Sequence, residues 1–141
     1  MNLSKHFTLN ELTRSAAAEK HGIDNSLRFS CDAWIIENLE TLCKTVLEPI
    51  RDYVGGPIFV NSGYRCALLN ALLGGVDNSQ HKTGNAADIT WDDFGKNRLE
   101  VVFKIACNLS HLPIDQLILY DTFIHVSCSS FPRHIFLDYR S

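Results

Sequence analysis

"SGYRCALLNALLGGVDNSQHKTGNAADIT", residues 62–90, combines chemically active side chains with many small residues and follows no simple helical or strand period. Arg65, His81 and Asp88 are its candidates for chemistry, and glycines and alanines surround them. Small residues allow backbone and side chains to approach closely. The stretch therefore indicates a loop that turns at Gly84, enters a strand at Ala86 and brings polar side chains to one point.

The length and composition predict one domain over residues 1–141. The chain has 141 residues, 45% of them hydrophobic, which suits a single packed core. Its formal net charge of -3 argues against non-specific binding to nucleic acid, because few counterions would be released. Lysines and arginines are scattered, so we expect no membrane partner either.

The N-terminus and the cysteines predict the compartment of synthesis. The opening "MNLSKHFTLNELTRSAAAEK" lacks the apolar core of a signal peptide. The five cysteines are odd in number, widely spaced and never in a CxxC pair, which is typical of reduced thiols. We expect synthesis in the cytoplasm without a signal peptide.

Helices are predicted mainly in the first part of the chain, and the C-terminal third is rich in strands. A capping box of Thr8 and Glu11 predicts a helix that ends near Gly22, and a second helix opens at Ser30 and is ended or kinked by Pro49. A short third helix closes at Gly74. Strands are predicted for "PIFVN", "AADITW", "DQLILY", "TFIHVSC" and "HIFLDY". This order favours an α+β fold, with N-terminal helices packed on a mostly antiparallel sheet.

Two histidines and one aspartate have the composition of a catalytic zinc site. Asp88 lies near the start of an apolar strand, where a carboxylate costs free energy unless a cation or hydrogen bonds compensate it. His125 lies in "FIHVS", where a strand can hold its ring rigidly. With His81 these residues supply three zinc ligands and leave a fourth position for water. Taken singly, each histidine also fits a core position, and the aspartate fits a turn.

Several spaced motifs resemble those of a known family. "SGYR", Asn70, "GG", "S-x-H-x-x-G-x-A-x-D-I" and a later "HVS" are similar to the motifs of the zinc D-Ala-D-Ala carboxypeptidases. That family includes peptidoglycan endopeptidases and shares the Hedgehog/D-Ala-D-Ala-peptidase fold. The opening "LSKHFTLNELTRSAAAEKHGIDN" also resembles small members from bacteria and their phages. The likeness extends over nearly the whole chain.

The resemblance implies roles for individual residues. His81, Asp88 and His125 would bind zinc. Arg65 would bind substrate and stabilise the oxyanion formed when water attacks the scissile carbonyl, because its forked, permanently charged donors suit developing negative charge. A surface salt bridge is the alternative role for Arg65. Ser79 would hydrogen-bond substrate, with a local turn cap as the alternative role.

The general base departs from the family pattern. Similar members carry an acidic residue three positions before the last histidine, where this chain has Thr122. Asp121, one residue earlier, is the nearest carboxylate and is predicted to be the base, with an ordinary hairpin-turn role as the alternative.

The resulting hypothesis is a monomeric zinc peptidase that hydrolyses amide bonds in the peptide stem of peptidoglycan and acts at the bacterial cell wall. It would be a carboxypeptidase or an endopeptidase, such as a phage endolysin. The alternative is a non-catalytic zinc module in a cell-wall or virion protein, which the missing acid at position 122 keeps open.

Overall fold

The computed structural model describes residues 1–141, apart from the side chain of Leu109. Its α-helices are α1 (Leu9–Thr13), α2 (Ala16–Lys20), α3 (Ala33–Leu42), α4 (Glu48–Val54), α5 (Ala67–Leu72) and α6 (Phe94–Cys107). Its strands are β1 (Ile58–Ser62), β2 (Ala86–Trp91), β3 (Ile114–Leu119), β4 (Ile124–Cys128) and β5 (Ile135–Asp138). Two 3₁₀ turns cover Gln80–Thr83 and Leu109–His111. In the described part of the chain, no helix is both long enough and apolar enough to cross a membrane.

The predicted N-terminal helix is two short helices. The capping box of Thr8 is confirmed, since its side chain accepts from the Glu11 backbone N–H and the Glu11 carboxylate accepts in return. The prediction of one continuous helix to Gly22 is wrong. Ser15 caps α2, and the Asn25 amide donates to the Thr13 carbonyl at 2.8 Å, so that carbonyl is satisfied without a continuing helix.

Pro49 lies beyond a local change of helical pitch. A π-helical turn, Cys43–Leu47, follows α3 directly and leads into α4, where Pro49 is the second residue. Proline lacks an N–H and its ring collides with the carbonyl four residues earlier, so a wider turn before it relieves both problems. The helical path therefore changes form ahead of the proline instead of ending there.

The strands form one five-stranded sheet in the order β1-β2-β4-β3-β5. The pairs β1–β2, β2–β4 and β3–β4 are antiparallel, and only β5 runs parallel to its neighbour, β3. The α+β class and the mostly antiparallel sheet are therefore confirmed.

The two faces of the sheet have different environments. Alternate residues of a strand point to opposite faces. Ala87, Ile89 and Val126 join helical residues such as Leu39 and Ile50 in the hydrophobic core. Asp88 and His125, at the intervening positions, line an open cleft instead. The helices thus cover one face and leave the other for a site.

Candidate metal centre

Strand register places two of the predicted ligands side by side. Asp88 of β2 is paired with His125 of β4, and Asp88 is also opposite Ser62 of β1 on its other side. Because directly opposite residues on antiparallel strands have neighbouring side chains, the aspartate and the histidine meet without any loop between them. The central strands of the sheet thus hold both groups rigidly.

His81 reaches the same point from the 3₁₀ turn. The Ser79 side chain accepts a hydrogen bond from the His81 backbone N–H and so caps the turn. Gly84 ends the turn with a φ of 78°, and a Cβ there would lie 2.8 Å from the Ile35 carbonyl oxygen. Glycine is required because the turn needs a left-handed residue pressed against α3.

Two of the separations among the three side chains are close to those between the ligands of a tetrahedral zinc ion. One ligand atom from each of His81, Asp88 and His125 lies within 4.8 Å of the others. His125 Nδ1 is 2.9 Å from Asp88 Oδ1, and His81 Nε2 is 3.4 Å from the same oxygen. Tetrahedral ligands at zinc bond lengths are about 3.3 Å apart. The residues present therefore suit the metal in both donor type and spacing.

A backbone carbonyl fixes the orientation of the His81 ring. Its Nδ1 lies 2.7 Å from the Gly63 carbonyl oxygen, which only accepts, so Nδ1 carries the proton and the Nε2 lone pair is available to a metal. Gly63 packs so tightly on Leu12 that any Cβ would collide with the Leu12 backbone. The Tyr64 N–H donates to the Leu12 carbonyl at 2.7 Å, which anchors this segment to α1.

Asp88 remains ionised inside the cluster. It is buried, with only 9% of its surface exposed, and burial by itself raises the pKa of its carboxyl. The hydrogen bond with His125 and the nearby His81 ring outweigh burial, so the net shift of the Asp88 pKa is downward. Arg65 Nη2 also donates to Asp88 Oδ2 at 3.2 Å. The carboxylate is thus held in its metal-binding form by three partners.

Arg65 is fixed beside the ligands and keeps donors for a further partner. Its Nε donates to Ser62 Oγ at 2.9 Å, and Nη1 donates to Asn70 Oδ1 at 3.5 Å. With the bond to Asp88, three of the five guanidinium N–H groups are used, which leaves two on a residue that lines the cleft. Asn70 is itself fixed, because its amide donates to the Val76 carbonyl at 2.9 Å and it packs against Gly75.

These residues line one wall of a cleft of about 750 Å³, a volume typical of ligand sites. Its lining comprises Arg65, Leu73, Gly74, Gly75, Val76, Asn78, Ser79, Gln80, His81, Asp88, Gln116, Ile118, Tyr120, Phe123, His125 and Arg133. The structure therefore brings together Arg65, Ser79 and the three predicted ligands. Ser79 already acts as a turn cap, and its role toward substrate stays a prediction.

Asp121 lies apart from this group. It is absent from the cleft lining, and its carboxylate accepts from the Ser141 hydroxyl at 2.7 Å and from the Ser141 backbone N–H. The hydrogen bonds from Ser141 lower the pKa of the Asp121 carboxyl, which makes it a weaker base. The structure does not bring Asp121 to the metal ligands.

The family model described as Peptidase M15 matches residues 5–127. The chain belongs to the peptidase M15 family. This match confirms the resemblance to the zinc D-Ala-D-Ala peptidases and accords with the α+β fold. A search of curated proteins finds no match. All three candidate ligands of this M15 peptidase lie within the matched segment, as does Arg65.

Several cleft residues of the M15 peptidase were not predicted from the sequence: Gln80, Gln116, Tyr120, Phe123 and Arg133. Tyr120 packs its ring against Phe123, and burial raises the pKa of its phenol, so it remains a hydrogen-bond donor at neutral pH. Gln116 and Tyr120 could have been predicted, because alternate residues of a strand share one face. Both are two residues from Ile118, which pairs with the predicted ligand His125. No motif or spacing near Arg133 in the sequence indicates that it lies at the cleft.

Proposed function

We propose that this M15 peptidase is a zinc-dependent hydrolase of amide bonds in peptidoglycan stem peptides and acts as a monomer at the bacterial cell wall. The observation that carries the proposal is the convergence of His81, Asp88 and His125 beside Arg65 on one wall of an open cleft. Two histidines and a carboxylate are the ligands of catalytic zinc sites, which keep a coordination position open.

Each of these side chains has a defined task. A zinc ion bound there would supply Lewis acidity and a water molecule of lowered pKa. His81 presents Nε2 because Gly63 holds the proton of Nδ1. Arg65 orients Asp88 and lines the cleft, where its two remaining N–H donors would stabilise the oxyanion of an attacked carbonyl.

Hydrolysis also requires a group that takes a proton from the attacking water and gives one to the leaving amine. Among the described residues that line the cleft, Asp88 is the sole carboxylate, and it belongs to the ligand set. Asp121 fills this role only if its contacts with Ser141 break when substrate binds. Its assignment as the base therefore stays a prediction.

The second candidate function is a zinc-containing module that binds wall peptides without cutting them. The position of Asp121 outside the cleft favours it, together with Thr122 at the position where similar members carry an acid. The ligand set is the same in both functions, so metal binding alone does not distinguish them.

Digestion of purified peptidoglycan distinguishes the two functions. We expect the zinc-loaded protein to release fragments whose new ends, read by mass spectrometry, identify cleavage between the D-alanines or between L-Ala and D-Glu. The matched control is Asp88→Asn, which keeps the shape of a ligand side chain but removes its charge. If the folded, zinc-loaded wild type releases nothing, the hydrolase proposal fails and the non-catalytic module is favoured.

A further inference from the structure

Arg133 is held at the cleft by a buried carboxylate that the proposed mechanism does not use. Asp115 of β3 is only 3% exposed. Its Oδ1 accepts from the backbone N–H and from Nε of Arg133, both at 2.9 Å, and its Oδ2 accepts from Arg133 Nη2 at 2.7 Å. This forked pairing fixes the plane of the guanidinium, which a single hydrogen bond would leave free to turn.

The fixed guanidinium retains most of its donors. Asp115 takes two of its five N–H groups, and no other described residue accepts from it, so three remain. Its side chain is 58% exposed and lines the same cleft as the metal ligands. Arg133 thus offers an oriented set of charged donors whose rotational freedom is already lost.

Asp115 also contacts the turn that carries a metal ligand. Gln80 Nε2 donates to Asp115 Oδ2 at 3.1 Å, and Gln80 directly precedes His81 in the 3₁₀ turn. One buried carboxylate therefore sets the position of Arg133 relative to the metal centre. Arg133 and the turn that carries His81 are thus tied to the same side chain.

A second arginine pair in the molecule lacks these features. Arg140 makes a similar forked contact with Asp138, at 2.7 Å through Nη2, but Asp138 is exposed and lies only two residues away. Arg140 is also outside the cleft lining. A surface pair of this kind contributes little. Arg133 differs because its partner is buried and its side chain lines the cleft.

The chemistry left on Arg133 selects a carboxylate. Planar, forked N–H donors match the two oxygens of that group, and the one carboxylate in the described cleft lining, Asp88, is already bound by Arg65 and the histidines. We propose that Arg133 is a specificity-determining residue that binds a carboxylate of the peptide substrate, with Asp115 as its positioning residue. This inference rests on the proposed function at the same cleft.

The carboxylate could be the C-terminal group of a stem peptide or the free carboxyl of its D-Glu residue, and three peptides distinguish these sources. The first is a synthetic stem peptide that runs from L-Ala and D-Glu to a D-Ala-D-Ala terminus, with both carboxylates free. The second has an amidated C-terminus, and the third has an amidated D-Glu carboxyl. The zinc-loaded full chain is assayed for cleavage of each peptide and, by isothermal titration calorimetry, for binding.

Arg133→Gln should lower kcat/KM for the first peptide by about 10- to 100-fold, mainly through KM, as loss of a charged hydrogen-bonding partner does. The same variant should show no loss against whichever amidated peptide lacks the recognised carboxylate. Arg140→Gln, the matched control, should resemble wild type on all three. Asp115→Asn should reproduce the peptide-dependent loss more weakly, because it loosens the guanidinium without removing it.

An equal loss on all three peptides, or no loss, would overturn the inference. If Arg133→Gln fails to fold, Arg133→Lys provides the test, with a smaller loss on the same peptide and none on its amide. If the wild type cleaves no peptide, only the hydrolase proposal fails, and the binding affinities measured by calorimetry then test the inference about Arg133. Tighter binding of the free acid by wild type than by Arg133→Gln then supports the inference, and equal or absent binding refutes it.

Discussion

Zinc should raise the melting temperature of the wild type and should do so far less in Asp88→Asn. The substitution keeps the shape of a buried side chain but removes the charge that faces His81, His125 and Arg65. A metal that binds only the native state stabilises it by about 2.7 kcal/mol at a concentration one hundred times its Kd. The size of the expected shift follows from the length of the chain.

Unfolding of 141 residues is accompanied by an entropy gain of about 0.3 kcal/mol/K, at about 2.1 cal/mol/K per residue. A stabilisation of about 2.7 kcal/mol therefore corresponds to about 9 °C in Tm. Losing even an outer-shell partner weakens metal binding by up to about 100-fold, so loss of a ligand should cost at least that. At the same zinc concentration, zinc then stabilises the variant by only about 0.4 kcal/mol, which corresponds to a rise of about 1 °C in Tm.

Differential scanning fluorimetry measures both shifts, with the wild-type Kd fixed first by competition with a chelator. Each protein is compared with its own metal-free form, because the substitution also changes the metal-free protein. Zinc binding to cysteines of the unfolded chain reduces the shift equally in both, since the five cysteines are unchanged. Asp138→Asn, which alters an exposed carboxylate, should keep the full shift. A shift in Asp88→Asn equal to that of wild type would refute the assignment of Asp88 as a ligand.

Three further predictions concern single residues. Arg65→Lys should retain zinc but lower kcat/KM by about 10²–10³, the usual effect of losing an oxyanion donor, and unchanged kinetics would remove Arg65 from that role. Asp121→Asn should lower turnover by about 10²–10⁴ with zinc retained if Asp121 is the base, whereas wild-type cleavage would exclude it. Hydrogen bonds from Arg133 lower the pKa of Asp115 to about 2, below its unfolded value, so the stability from this pair should be full above about pH 4 and be lost as the pH falls toward 2. The free energies of unfolding of wild type and Asp115→Asn, measured in urea, should converge as the pH falls over that range. A difference that stays constant with pH would contradict this dependence.

Local sequence was informative where short-range rules operate. The capping box at Thr8 and the short helix closed by Gly74 formed as predicted, since each depends on residues within one turn. The break before Ser15 was missed because the partner that satisfies the Thr13 carbonyl, Asn25, comes from a later segment. Local rules cannot detect a competitor that arrives through tertiary packing.

The site shows the same division. The spaced motif from Arg65 to Asp88, together with His125, identified the candidate ligands because their residue types and order are a property of the chain itself. That they meet depends on the pairing of β2 with β4, which places Asp88 directly opposite His125. This pairing joins segments that are far apart in the sequence, and it depends on how both strands pack into the hydrophobic core.

Where Asp121 and Arg133 lie relative to the cleft is decided by the tertiary structure alone. Asp121 follows Tyr120, which lines the cleft, but its carboxylate binds Ser141, which lies after β5, and Asp121 is outside the cleft lining. Arg133 gains its position from Asp115, eighteen residues earlier, through a pair that no sequence period marks. The sequence determined which chemical groups are present and which family they belong to, while packing decided which of those groups face the same cleft, because side-chain direction depends on contacts between distant segments.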